Sequence, residues 1–142
     1  MARPSDAGPT ASRTLPPLDG RVAAAVVIGG AVGSLARAEL AAAWTHAPDQ
    51  WPWATFVANL VGAALLGALV VRTSRRPHLH GLLGTGLCGG LTTFSTFQLE
   101  LLRMFDAGCV GLAAAYLAVS VVCGLALAWT TARLASPQAL KP

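Results

Sequence analysis

Four apolar runs, each about as long as a bilayer is thick, set the pattern of this chain. They extend from Arg21 to Trp44, from Trp51 to Val71, from Leu79 to Phe105 and from Gly108 to Arg133. A helix needs ~20 predominantly apolar residues to cross a bilayer, so each run predicts one crossing, and the short connections predict antiparallel neighbours. Residues 1–19 are rich in Pro, Ser and Ala without apolar period, and predict a disordered tail. That tail precedes the first apolar run, which is too long for the core of a signal peptide. A four-helix transmembrane unit over 20–134 and a short tail over 135–142 complete the organisation. The third run departs from the others. Between Gly84 and Glu100 it reads GTGLCGGLTTFSTFQLE, with Gly84, Gly86, Gly89 and Gly90 followed by Thr92, Thr93, Ser95 and Thr96. Glycines weaken a helix, and loosened backbone at membrane depth is tolerated only where it is buried in protein or lines a cavity. The fold class expected is therefore an all-α membrane protein with four transmembrane helices per subunit, the third broken near mid-membrane. A glycine-rich break of this kind points to an ion or substrate site.

Composition strengthens the membrane reading. Of the 142 residues, 54% are hydrophobic and 11% charged, against about 25% charged in soluble domains. Trp44, Trp51, Trp53 and Trp129 fall near run ends, where interfacial aromatics belong. Small residues four apart, Gly29 with Gly33, Ala58 with Gly62, Gly86 with Gly90 and Gly124 with Ala128, suit close helix contact. The net charge of +4 lacks an aromatic-interleaved basic face, so no nucleic-acid partner is expected. The basic residues sort by side instead. Arg3, Arg13, Arg21, Arg72, Arg75, Arg76, Arg133 and Lys141 share the side of the N-terminus, the second loop and the C-terminus, while Arg103 and Arg37 belong to the other. The positive-inside rule puts both termini in the cytoplasm. Cys88, Cys109 and Cys123 form no CxxC pair and read as packing residues.

Several polar residues stand out against the apolar background. Asn59 is an amide within WPWATFVANLVGAALLG. It reads either as an interhelical hydrogen bond or as a donor to an anion, since its NH2 offers two N–H groups without fixed charge. Phe94 and Phe97 share a helical face. They read as packing residues or, among hydroxyls beside a break, as ring edges that an anion can approach. Tyr116 and Ser120 are four apart on the last helix and form either a polar stripe or two interhelical bonds. Arg37 and Glu100 are ionisable groups in or near the apolar spans, which usually face protein or a water-filled vestibule. No carboxylate pair, Ser/His/Asp set or phosphate-binding loop is evident, so no enzyme chemistry and no nucleotide coupling are expected. His46, His78 and His80 lie in or beside loops and make only a weak metal signal.

These residues resemble a known family. The run GTGLCGGLTTFSTFQLE is similar to the third-helix signature of the Fluc (CrcB) fluoride channels. GGAVGSLAR and ATFVANLVGAALLG look like that family's first- and second-helix motifs, in the right order. The resemblance implies a four-helix subunit working as an antiparallel dimer in the cell membrane, with two fluoride pores and a structural sodium ion (Na+) at its centre. It implies sodium held by backbone carbonyls of Gly89 and Thr92. It implies a fluoride pore at Asn59, Phe94, Phe97, Tyr116 and Ser120. Vestibule or supporting polar roles fall to Arg37, Thr55, Thr93, Thr96 and Glu100. Gly124 departs from the family, where a hydroxyl is common. The function implied is passive, electrodiffusive fluoride export that lowers toxicity. The marked Lys/Arg asymmetry adds the expectation of one fixed orientation, with an oppositely oriented paralogue completing a heterodimer. The rivals are a small four-helix proton-coupled multidrug exporter, which needs a titratable acid at mid-membrane, and a structural subunit without transport.

Overall fold

A computed structural model describes residues 19–136, and all regular structure within them is helical. Three helices are long and apolar enough to cross a membrane: α1 (Gly20–Ala43), α2 (Trp53–Thr73) and α6 (Val110–Ala135). Asp19 starts α1 by accepting a hydrogen bond from the Arg21 amide at 2.9 Å, the ordinary way to satisfy a free N–H at a helix start. The expected terminal tails lie outside the described residues, except for Asp19, Ala135 and Ser136.

The third apolar run is a composite. It begins with α3 (Pro77–Leu79), widens into a π-helical stretch (His80–Cys88) and returns to α-helix in α4 (Gly89–Leu91). After two extended residues it resumes as α5 (Phe94–Asp106). The break therefore falls after the double glycine: Gly89 and Gly90 stay helical, while Thr92 (ψ 152°) and Thr93 (φ −146°, ψ 123°) are extended. The residue chemistry accounts for this placement. β-branched threonine favours extended backbone, and the Thr93 hydroxyl caps the new helix by accepting from the Thr96 amide at 3.2 Å.

The glycines are used for packing instead. α1 lies against the π-helical stretch and α4 with backbone touching backbone. A Cβ on Gly29 would strike the Leu82 carbonyl oxygen and one on Gly33 that of Leu87; from the other side, one on Gly90 would strike that of Gly30. Gly81, Gly86 and Gly90 all face α1. Their spacing of five and then four follows the change from π to α winding, which keeps one smooth face toward the neighbour. On the far side α2 packs along α6, where Gly67 meets Ala128 and Thr131. Such small-residue contact is how membrane helices associate without a hydrophobic driving force.

The tightly buried core is small: Phe97, Met104, Ala113 and Tyr116, with Trp51, Phe56, Leu101, Cys109 and Leu112 against it. Val27, Leu35, Val122, Leu125 and Trp129 are exposed. In water so much bare apolar surface would drive aggregation. On a multi-pass membrane protein such surface meets lipid or another helix in place of water.

Candidate functional site

The site forms where α2 meets the break. The Asn59 amide clasps the backbone of Thr93 from both sides. Its Nδ2 donates to the Thr93 carbonyl at 3.1 Å, and its Oδ1 accepts from the Thr93 N–H at 2.8 Å. An amide has exactly one acceptor end and one donor end, so this pairing fixes its orientation and leaves a second N–H beyond the clasp. The interhelical bond expected of Asn59 is therefore made to backbone. The Thr92 methyl abuts Gly62, which places the break level with the middle of α2.

The clasp frees carbonyls. In an unbroken helix the Thr93 N–H would bond to Gly89 and the Thr96 N–H to Thr92. Here they go to Asn59 and to the Thr93 hydroxyl. No hydrogen bond described outside the regular helices ends on the Gly89 or Thr92 carbonyl. Thr92 itself donates its hydroxyl to the Cys88 carbonyl at 2.9 Å. The next carbonyl, Gly90, accepts from Arg37 Nε at 3.1 Å, so Arg37 reaches across from α1 to the break. Two hard, uncharged oxygens are left, a donor type suited to hard cations.

Below the break the aromatic rings form a row. Phe94 and Phe97 stack with centroids 6.4 Å apart, Phe97 lies 4.9 Å from Tyr116, and Trp51 meets Tyr116 edge-on at 5.3 Å. The two phenylalanines share a face as expected, but their surroundings differ: Phe97 is 7% exposed and Phe94 71%. Glu100 sits under this row, buried among hydroxyls. Thr55 donates to its Oε1 at 2.6 Å and Tyr116 to its Oε2 at 2.9 Å, with His46 Nε2 3.9 Å away. Tyr116 thus turns its hydroxyl to Glu100, while Ser120, one turn further on, has a buried Oγ with no partner. Buried orphan hydroxyls are uncommon, and the residue that carries this one lines a cleft.

That cleft, about 600 Å3, runs along α2, α6 and the composite run. Its lining includes Asn59, Gly89, Thr92, Phe94, Phe97 and Ser120. It brings together donors without fixed charge, ring edges and free carbonyls. Thr93 and Thr96 contribute through the cap, their hydroxyls 3.0 Å apart. Glu100, Thr55 and Tyr116 form a second cluster at the α2 start. Gly124 lies on the α6 wall of a neighbouring groove with open space beside it. Sequence reasoning gave His46 and His80 only a weak metal signal; in the fold His46 approaches Glu100 from the α1–α2 loop and His80 also lines the cleft. No spacing rule links a loop histidine to a carboxylate more than fifty residues away.

The family model described as CrcB-like protein, Camphor Resistance (CrcB) matches residues 24–132. A Mycobacterium bovis protein named fluoride-specific ion channel FluC 1 is 52% identical over 115 residues, covering 78% of this chain and 87% of the relative. A Nocardia farcinica protein named FluC 2 is 40% identical over 121 residues, with 82% and 86% covered. One from Methylobacillus flagellatus named FluC is 43% identical over 110 residues, with 73% and 86% covered. The matched segment contains α2, the composite run, all but the outer ends of α1 and α6, and every residue of the clasp, the aromatic row and the carboxylate cluster, and so the chain belongs to the CrcB family.

Proposed function

We propose that this chain is a subunit of a fluoride-specific ion channel that passes fluoride passively out of the cell. The observation carrying this reading is the cleft beside the broken helix, whose largely apolar lining carries an amide N–H, hydroxyls and ring edges and no Asp, Glu, Lys or Arg. Fluoride is compact and strongly hydrated, so a pore must replace its water with small donors. Donors of this kind hold the anion without trapping it, and conduction requires binding that permits both entry and exit. Asn59, Phe94, Phe97 and Ser120 line that route, with Tyr116, Thr55 and Glu100 at its α2-start end. Hydrogen fluoride enters cells across lipid and dissociates. The negative-inside potential then drives the anion out at about 2.3 kcal/mol per charge per 100 mV.

The assembly is an antiparallel dimer with a structural sodium at its centre. The Gly89 and Thr92 carbonyls support this, since the break strips both of their helical donors. Gly89 is exposed on the isolated subunit with nothing beside its Cα, which leaves room for a second subunit. Two carbonyls from each subunit give four oxygens around one ion. The sodium supplies charge that holds two unwound segments together and takes no part in conduction.

The proton-coupled exporter needs a titratable acid at mid-membrane. The only buried carboxylate among the described residues, Glu100, lies level with Thr55 in the first turn of α2.

The test is fluoride efflux from liposomes carrying the protein purified with whatever partner it retains. Wild type is compared with Phe94→Ile and Asn59→Asp. The aspartate would set a carboxylate oxygen against the Thr93 carbonyl in place of the donating Nδ2. Efflux is expected to need a potassium ionophore and no proton gradient, and both variants are expected to reduce it at least tenfold. Efflux that demands a proton gradient, or wild-type rates from both variants, overturns the assignment.

A further inference from the structure

We infer that His80 is an anion-capturing residue at the end of the cleft opposite Glu100, and that its charge sets how readily fluoride enters there. The inference rests on the channel reading above. The two ends are marked on α2 itself: Thr55 holds Glu100, and Thr73, eighteen residues further on, touches His80. At 1.5 Å per residue that separation is about 27 Å, close to the thickness of the hydrocarbon core.

The imidazole is held in one pose. It lies over Gly84, where an added Cβ would come within 3.3 Å of Nδ1 and Cε1, so the glycine makes the seat for the ring. Thr73 is buried, and its single hydroxyl proton goes to the Leu69 carbonyl at 2.6 Å. Its oxygen is then left to accept from His80 Nδ1–H at 2.9 Å. With Nδ1 carrying the proton, Nε2 has two states. In the neutral ring it is a bare lone pair, which repels an anion. In the protonated ring it is a charged N–H donor, which attracts one. Histidine is the side chain whose charge ordinarily changes between about pH 5 and 8.

The other groups around this end do not supply the same switch. Arg72 lies in the last turn of α2, and Arg75 and Arg76 stand in the turn to α3, all three exposed. His78 is exposed and lies 4.0 Å from Asp19 at the start of α1. Arg21 stands exposed in the first turn of α1, and along the cleft wall the other titratable group is the Cys88 thiol.

The experiment is fluoride current across a planar bilayer holding the purified assembly, with equal pH on both sides, stepped from 8 to 5.5. Current counts only charge, so electroneutral passage of hydrogen fluoride is not registered. Wild type and His78→Gln are expected to pass about five times more current at pH 5.5 than at pH 8. His80→Gln is expected to stay at the lower level throughout and His80→Arg at the higher one. If His80→Gln fails to assemble, His80→Arg decides, since a cation that does not titrate must flatten the profile. A pH response retained in either variant, or a wild-type current indifferent to pH, overturns the inference and leaves the channel reading standing. No fluoride current at any pH defeats both.

Discussion

Phe94 and Phe97 show how two identical side chains three residues apart acquire different duties. Phe97 is wedged against Tyr116, and such an aromatic contact contributes about 0.5–1.5 kcal/mol beyond its area. Phe94 is largely bare on the subunit. Phe94→Ile is therefore expected to abolish most fluoride flux while leaving the thermal unfolding midpoint in detergent unchanged. Phe97→Ile is expected to lower both. Glu100 gives a second contrast. Glu100→Ala strands the Thr55 and Tyr116 hydroxyls, and a buried unsatisfied group costs about 1–3 kcal/mol. Glu100→Gln keeps one acceptor, and the tyrosine hydroxyl can accept from the new NH2. The alanine variant should thus unfold at a clearly lower temperature than the glutamine variant; equal midpoints would mean that these bonds do not hold the cluster. The identity of the polar residues was legible in the sequence, because each interrupts an apolar run. Their partners were not. Thr55, Glu100 and Tyr116 sit on three separate elements, and only the folded packing of α2, α5 and α6 brings them together.

At the scale of the element, the four apolar runs foretold where the helices lie to within a few residues, since hydropathy and length decide what can cross a bilayer. The sequence also placed a break in the third run. Glycine content points the unwinding to the double glycine, and the structure corrects this: Gly89 and Gly90 stay helical and the chain leaves the helix at Thr92 and Thr93. Glycine has two uses, loosening a helix and allowing close approach, and low propensity alone does not separate them. Gly90 serves approach, with the Gly30 carbonyl against it, and the loosening falls to Thr92 and Thr93. The π winding of His80–Cys88 was equally hidden, because it arises from fitting this stretch against α1. A test follows from the contacts. Gly33→Ala forces a methyl into the Leu87 carbonyl, and overpacking of this kind typically costs about 1–3 kcal/mol. Gly111→Ala, on α6 with open space beside it, should cost nothing. Thermal unfolding of the two variants should therefore separate, and coincident curves would show that α1 yields to the added methyl.

At the scale of the whole molecule, charge bears on which way the subunit faces. Arg21, Arg72, Arg75, Arg76 and Arg133 stand at the ends of helices on one side, with Arg103 on the other. Arg37 belongs by sequence to the second group, but its guanidinium is engaged with the Gly90 carbonyl in a half-buried contact, so it is not a free loop charge. The asymmetry is therefore greater than a count of the sequence suggests. Basic residues close to helix ends resist translocation, so this chain is expected to insert one way, with both termini in the cytoplasm. If the proposed assembly is antiparallel, two copies inserted the same way do not form it, and the second subunit is expected to be a related chain carrying the opposite bias. A tag on the C-terminus should be reached by an impermeant label only from the cytoplasmic face. The assembly purified through that tag should contain a second CrcB-type chain in equal amount. Labelling from both faces, with this chain alone in the purified dimer, would show instead that its charges are too weak to fix orientation and that one sequence supplies both halves.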